Sequence, residues 1–154
     1  MHQQRATPPE PPSRVCAAGT LRRASRSVSR FYDSRLSSAG LTTTQFSLLR
    51  ALERHSEPIA LTRLAADQVF ERSSLYRALE PLRREGLVKL GAIAGGRAKE
   101  VELTARGRQR ILRALPRWRE AQNEFLKQFG RSAWGTLSTQ LVAIVEAAHG
   151  LSDA

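Results

Sequence analysis

Two short helical patterns follow each other closely in the middle of the chain, and a hairpin pattern comes directly after them. The first covers residues 61–69, with inward positions Leu64, Ala65 and Val69. The second covers residues 73–85, with inward positions Leu75, Ala78, Leu79 and Leu82. Gly86 ends it, and strand-like runs at 87–90 and 99–103 flank a glycine-bearing loop. Neither helix is long enough to be stable without packing, so this order of elements leaves few possible folds.

Longer helical patterns flank this central unit. A first helix is predicted from residue 15 to about Gly40, and a second begins at Thr42, which has capping-box spacing to Gln45. Thr104 is predicted to cap a fifth helix, and a sixth follows it. Prolines 81 and 116 fall inside helical patterns, where the missing N–H favours a bend.

The expected fold is therefore mainly α, with an α+β winged helix-turn-helix at its centre. Residues 1–14, rich in proline and polar side chains, are predicted to be a disordered tail. Residues 15–40 form an N-terminal dimerisation helix, residues 41–103 the winged helix-turn-helix domain, and residues 104–150 the C-terminal dimerisation helices.

The charge of the chain favours a polyanionic partner. The sequence has 25 Lys and Arg against 14 Asp and Glu, a formal net charge of +11. Charge by itself does not separate DNA from RNA or an acidic membrane. No apolar run approaches the roughly 20 residues of a membrane span, and the first residues lack the apolar stretch of a signal peptide, so no membrane partner and a cytoplasmic location are expected. The single cysteine, Cys16, excludes an internal disulfide and a multi-cysteine metal site.

A short helix followed by a basic hairpin can read duplex DNA, because the second helix of such a pair fits the major groove. The side chains predicted to contact bases are Ser73, Ser74, Tyr76 and Arg77. The side chains predicted to contact phosphates are Arg63, Arg72, Arg83 and Arg84, and those of the wing are Arg97 and Lys99. Two alternatives stay open: Ser73 as a helix cap, and Arg77 as a phosphate contact or a solvated charge.

These residues resemble the MarR family of bacterial regulators from about residue 21 to residue 150. The most specific stretches are LTTTQFSLLRAL, LTRLAADQVFERSSLYRALEPLRREGLV and VELTARGR. The resemblance implies that Pro81 is tolerated in the recognition helix, that the protein is a two-fold dimer on a palindromic operator, and that repression is its usual outcome. Many members have an acidic residue where Gly95 stands, two positions before Arg97, so this wing is expected to be looser.

The outer helices carry apolar stripes that a second copy of the chain would cover, removing them from water. The residues predicted to do so are Trp118, Phe125, Phe129, Trp134, Leu137, Leu141 and Ile144. The alternative is a monomer in which these helices pack on their own winged helix.

The resemblance also implies a signal that the protein senses. A small aromatic effector is expected to contact Phe31, Tyr32, Arg35 and Trp118, although ordinary core packing explains their spacing equally well. Cys16 is a candidate for oxidant sensing, and an inert thiol is the alternative.

Catalysis is not expected. The three histidines are scattered, and neither a phosphate-binding glycine loop nor a carboxylate pair in an apolar setting occurs. No cofactor and no metal are predicted. The competing interpretation is a winged helix that binds protein or RNA without operator specificity.

Overall fold

The computed structural model describes residues 15–92 and 99–152. The predicted tail, residues 1–14, and the predicted wing arginine, Arg97, lie outside the described residues. Within them the elements in chain order are α1 (Ala17–Leu36), α2 (Thr43–Glu53), β1 (Ile59–Ala60), α3 (Leu61–Asp67), α4 (Arg72–Arg84), β2 (Val88–Ala92), β3 (Lys99–Leu103), α5 (Ala105–Phe129) and α6 (Arg131–Ser152). This is the predicted winged helix with helices before and after it.

The two residues predicted to cap the start of α2 form the expected hydrogen bonds. The Thr42 hydroxyl accepts a hydrogen bond from the Gln45 N–H at 3.2 Å, and the Gln45 side chain accepts one from the Thr42 N–H at 2.9 Å. The capping box is therefore confirmed. A short 3₁₀ turn joins α1 to α2 and ends at Gly40, whose φ of 69° is left-handed.

The turn between α3 and α4 differs from the prediction. Helix α3 ends at Asp67, and Val69 is 59% exposed with a φ of 54°, so the predicted inward position of Val69 is wrong. The Phe70 N–H donates to the Ala65 carbonyl at 2.8 Å, and the Val69 N–H donates to the Ala66 carbonyl at 3.2 Å. This hydrogen-bond pair needs a left-handed residue at position 69, which turns the valine side chain outward.

Helix α4 begins one residue earlier than predicted. Glu71 is its N-cap residue, and Ser73 is already the second helical residue. The capping alternative for Ser73 is therefore wrong, because a helix has one N-cap position and it lies two residues before this serine. Pro81 lies inside the helix with its side chain exposed, and α4 continues to Arg84.

The three strands form an antiparallel sheet in the order β1-β3-β2. Strands β2 and β3 are the predicted hairpin, with Val88 opposite Leu103 and Leu90 opposite Val101. Strand β1, only two residues long, was not predicted, since a run this short carries no periodicity.

Helix α5 is anchored where the hairpin begins and ends. Thr104 caps α5 by accepting from the Gly107 N–H at 3.0 Å, as predicted, and its hydroxyl also reaches the Gly86 and Leu87 carbonyls. A Cβ on Gly107 would lie 2.2 Å from the Leu87 carbonyl oxygen. Only glycine lets the α5 backbone come this close to the Leu87 carbonyl. This contact fixes the direction in which α5 leaves the sheet.

One hydrophobic cluster joins the central domain to both neighbouring helices. It takes in the end of α1, all four elements from α2 to α4, the sheet, and two residues of α5, Ile111 and Ala114. No described side chain of α6 is buried. Among the described residues, no helix combines the length and apolarity that crossing a membrane requires.

Candidate nucleic-acid interface

The core holds α4 by one side and leaves the opposite side exposed. Leu75, Leu79 and Leu82 are at most 1% exposed, which fixes the rotation of the helix about its axis. Ser73, Ser74 and Arg77 are exposed on the outward side. Three of the four predicted base-reading residues are thus accessible from solvent.

The arginines at the start of α4 are available for a ligand. Arg72 and Arg77 are exposed, and neither forms an ion pair or hydrogen bond with any described residue. A guanidinium that is not engaged within the chain keeps all its donors for phosphate or base edges.

Tyr76 lies differently from the other three residues predicted to contact bases, and its role stays a prediction. Its hydroxyl is buried and has no hydrogen-bond partner in the described part of the chain. The Lys99 ammonium group lies 4.7 Å from the centre of the Tyr76 ring. Tyr76 therefore faces the hairpin, because its position on the helix lies between the buried leucine side and the outward side.

The arginines at the end of α4 are already paired. Arg83 Nε lies 2.8 Å and Arg84 Nε 3.1 Å from the Glu80 carboxylate. These hydrogen bonds, first from Arg83 and then from Arg84, lower the pKa of Glu80 to about 2. Glu80 was not among the predicted residues, although its spacing of three and four to the arginines is a readable signal.

The remaining basic candidates belong to elements other than α4. Arg63 is exposed and 3.8 Å from Asp67, one turn later in α3. Lys99 begins β3, where the hairpin leaves the predicted wing, and it is exposed. Arg63, Arg83 and Arg84 each keep guanidinium N–H groups outside these pairs, and their phosphate contacts remain predictions.

The predicted dimerisation residues divide into two groups. Trp118 stacks on Phe46 at 6.0 Å within the chain, so the central core already covers part of its ring. Phe125, Phe129 and Trp134 form an aromatic cluster that joins α5 to α6, with ring centroids 5.5–6.5 Å apart. Farther along α6, Leu137 and Leu141 are half-buried, and Ile144 is 43% exposed.

The predicted effector residues lie in two different places. Phe31, Tyr32 and Arg35 lie together on α1, where the Tyr32 hydroxyl donates to Gln122 and burial raises the pKa of Tyr32. Arg35 lies 5.4 Å from the Phe31 ring centre and 2.7 Å from the Glu124 carboxylate. Trp118 packs against α2 instead.

A cleft of about 580 Å³ lies beside the first group of predicted effector residues. It is lined by Phe31, Glu124, Phe125, Lys127 and Gln128. An anionic effector at Arg35 would compete with Glu124.

Cys16 is the N-cap residue of α1. Its sulfur accepts a hydrogen bond from the Gly19 N–H at 3.4 Å, and the side chain is exposed. The thiol is thus accessible to an oxidant, and its redox role stays a prediction.

Known structures that resemble this chain are transcriptional regulators. The M. tuberculosis regulator MosR in complex with DNA is 38% identical, with a TM-score of 0.81 over 89% of this chain and 98% of that chain. A second structure of M. tuberculosis MosR is 36% identical, with a TM-score of 0.77 and the same coverage. A MarR-family regulator from Rhodococcus is 20% identical, with a TM-score of 0.71 over 82% of this chain and 90% of that chain. No protein-family model and no curated protein matches the sequence.

Proposed function

Since this chain belongs to the MarR family of winged helix-turn-helix transcriptional regulators, we propose that it binds a palindromic DNA operator as a homodimer. One α4 enters the major groove of each half-site, and the half-sites lie about 34 Å apart. The chain acts as a repressor, because a dimer that occupies a promoter blocks polymerase. A regulator of chromosomal DNA works in the cytoplasm, so this location is part of the proposal.

The observation that carries the proposal is the accessible Arg77, which has no partner among the described residues and lies on a helix whose rotation the core fixes. Arg77 reads a base, most readily guanine through O6 and N7. Ser73 and Ser74 lie on the same side of α4, and Arg72 precedes them at the start of the helix, where a phosphate passes beside the groove.

The dimer is supported by the apolar surface of α6. None of its described side chains is buried within the chain, and Val142, Ile144 and Val145 are each at least 40% exposed. A second copy that covers these residues and Phe129 removes apolar area from water. A small aromatic effector at Arg35 and an oxidant at Cys16 remain candidate signals for release from DNA.

The direct test is a selection of bound duplexes from a random pool, followed by binding measurements on the selected site. Arg77→Ala is expected to weaken binding by about 1–3 kcal/mol and to relax base preference at one position per half-site. Arg119→Ala removes the same charge from an exposed site on α5 and is expected to change neither. An unchanged site preference for Arg77→Ala would contradict its role.

The competing interpretation is a winged helix that binds RNA or protein. A salt titration against the selected duplex and against its single strand separates the two. Duplex binding is expected to weaken with salt at a slope of about −0.9 per neutralised phosphate. Tighter binding to the single strand would favour the RNA interpretation.

A further inference from the structure

One side of α5 carries four arginines that the DNA-binding surface does not use: Arg106, Arg110, Arg113 and Arg117. Their spacing of four, three and four residues places them in one row along the helix. The row lines two adjoining clefts, of about 450 Å³ and about 620 Å³. Both volumes lie in the range of small-molecule sites, about 300–1,000 Å³. This arginine cleft is defined by these four residues.

Arg110 is the most buried member of the row, with a side chain that is 16% exposed. Its Nη1 lies 3.0 Å from the Glu85 carboxylate and donates to the Gly40 carbonyl at 3.3 Å. Arg110 thereby connects α5 to the segment after α1 and to the C-terminal end of α4. Its Nη2 and Nε have no hydrogen-bond partner among the described residues, and together they keep three N–H donors for a ligand.

The cleft has more positive than negative charge. Arg106 and Arg113 form no ion pair or hydrogen bond within the described chain, and Arg117 pairs with Glu120. The only carboxylate among the described lining residues is that of Glu85, which is 42% exposed. Four guanidinium groups beside the two carboxylates of Glu85 and Glu120 leave a surplus of positive charge, which attracts a further anion.

We propose that the arginine cleft binds a compact anion with at least two negative charges, of the phosphate or carboxylate class, which replaces Glu85 as the partner of Arg110. Guanidinium groups suit such a ligand, because their fixed donors match the oxygens of both classes in pairs. A flat charged surface would bind an anion weakly, whereas a concave site lets several arginines contact it together.

The arginine cleft is distinct from the surface that faces DNA. Helix α4 has 13 residues, so its two ends are about 20 Å apart. Arg77 is the sixth of these residues, about 12 Å along the axis from Glu85, which directly follows the last one. A phosphate bound beside Arg72 at the first end does not also fill the cleft.

The test uses the full chain without DNA and two probes, pyrophosphate and citrate, titrated in a calorimeter at constant ionic strength. Saturable binding at one site per chain is expected for at least one probe, and the comparison of the two assigns the ligand class. The double variant Arg106→Gln/Arg113→Gln is expected to bind the probe about tenfold or more weakly, since two charge-assisted contacts are lost.

The matched control is Arg108→Gln/Arg119→Gln, which removes the same charge from exposed positions on the opposite side of α5. It is expected to bind within about twofold of the unaltered chain. Equal weakening in both double variants, or no saturable binding of either probe, would overturn the proposal.

Glu85→Gln tests the displacement itself. It removes the competing carboxylate, so it is expected to bind the probe about two- to fivefold more tightly. A weaker or unchanged affinity would show that Glu85 is not displaced. Because no DNA is present, these results are independent of operator recognition.

Discussion

The central domain buries most of its large apolar side chains, whereas helix α6 buries none of those that the structure describes. Leu64, Leu75 and Leu79 of the central domain are at most 1% exposed. Helix α6 has a comparable supply of apolar residues, yet Val142 is 59% exposed and Ile144 is 43% exposed. The central domain completes its core within the described chain, whereas α6 leaves these side chains exposed. If α6 forms the proposed dimer, stability depends on the chain alone in the first region and also on protein concentration in the second.

The largest expected effect on the free energy of unfolding comes from replacing a glycine by alanine, and it differs between the central domain and α6. In Gly107→Ala the new Cβ would lie 2.2 Å from the Leu87 carbonyl oxygen and 2.5 Å from Leu103 Cδ1. Backbone cannot yield as a flexible side chain does, so the free energy of unfolding is expected to fall by about 3 kcal/mol or more, measured by urea denaturation. Gly135→Ala in α6 meets nothing within 4 Å in the chain and is expected to stabilise by up to about 1 kcal/mol. Similar results for the two variants would refute the contrast.

The next largest effect comes from truncating an apolar side chain in the central domain and one in α6. Leu79→Ala is expected to lower the free energy of unfolding by about 2–5 kcal/mol at any protein concentration. Ile144→Ala is expected to weaken dimerisation, seen as a higher dissociation constant in sedimentation equilibrium, with little change in the unfolding of the central domain. A loss of stability for Ile144→Ala that is independent of concentration would mean that α6 packs within its own chain.

Backbone strain gives a smaller effect, of opposite sign in the two regions. Val69 has a left-handed φ of 54°, which costs a β-branched residue about 1–2 kcal/mol. Val69→Gly is expected to stabilise by about 0.5–1 kcal/mol after the entropy of glycine is subtracted. Val142→Gly, in the middle of α6, is expected to destabilise by a similar amount. Thermal denaturation measures both, and a lower melting temperature for Val69→Gly would contradict the strain.

The smallest expected effect is a pH dependence at the end of α4. The pKa of Glu80 is about 2 in the folded chain, below its ordinary value of 4.5. Its contribution to stability is thus fully present above pH 4.5 and is lost as the pH falls towards 2. Glu80→Gln is expected to flatten the acid limb of the stability curve slightly, more at low salt than at high salt because the pairs are exposed. An acid limb identical to that of the unaltered chain would show that the pairs contribute nothing.

Much of the fold could be predicted because its signals are local. The Thr42 capping box, the Thr104 cap and the leucine spacing of α4 each involve residues within about one or two helical turns. The turn at Val69 was misread because the helical pattern continues for one more apolar residue than the helix does. A glycine at that position would have marked the end.

The candidate site was predicted less completely. The accessible side of α4 with Arg77 follows from helical periodicity, but Tyr76 belongs to the hairpin side. A position at the border of two sides has no periodic signal that tells solvent from a neighbouring strand. Pro81 was accommodated in the expected helix by the family resemblance, not by local preference.

The sequence by itself determined where the helices begin, which leucines turn inward, and that the chain carries a large positive charge. Only the tertiary structure decided that Tyr76 lies against Lys99, that β1 joins the sheet, and that Arg110 contacts both Glu85 and Gly40, which precedes it by 70 residues. The physical reason is range: capping and periodicity act between residues a few positions apart, whereas these contacts exist only after the core has brought distant segments together.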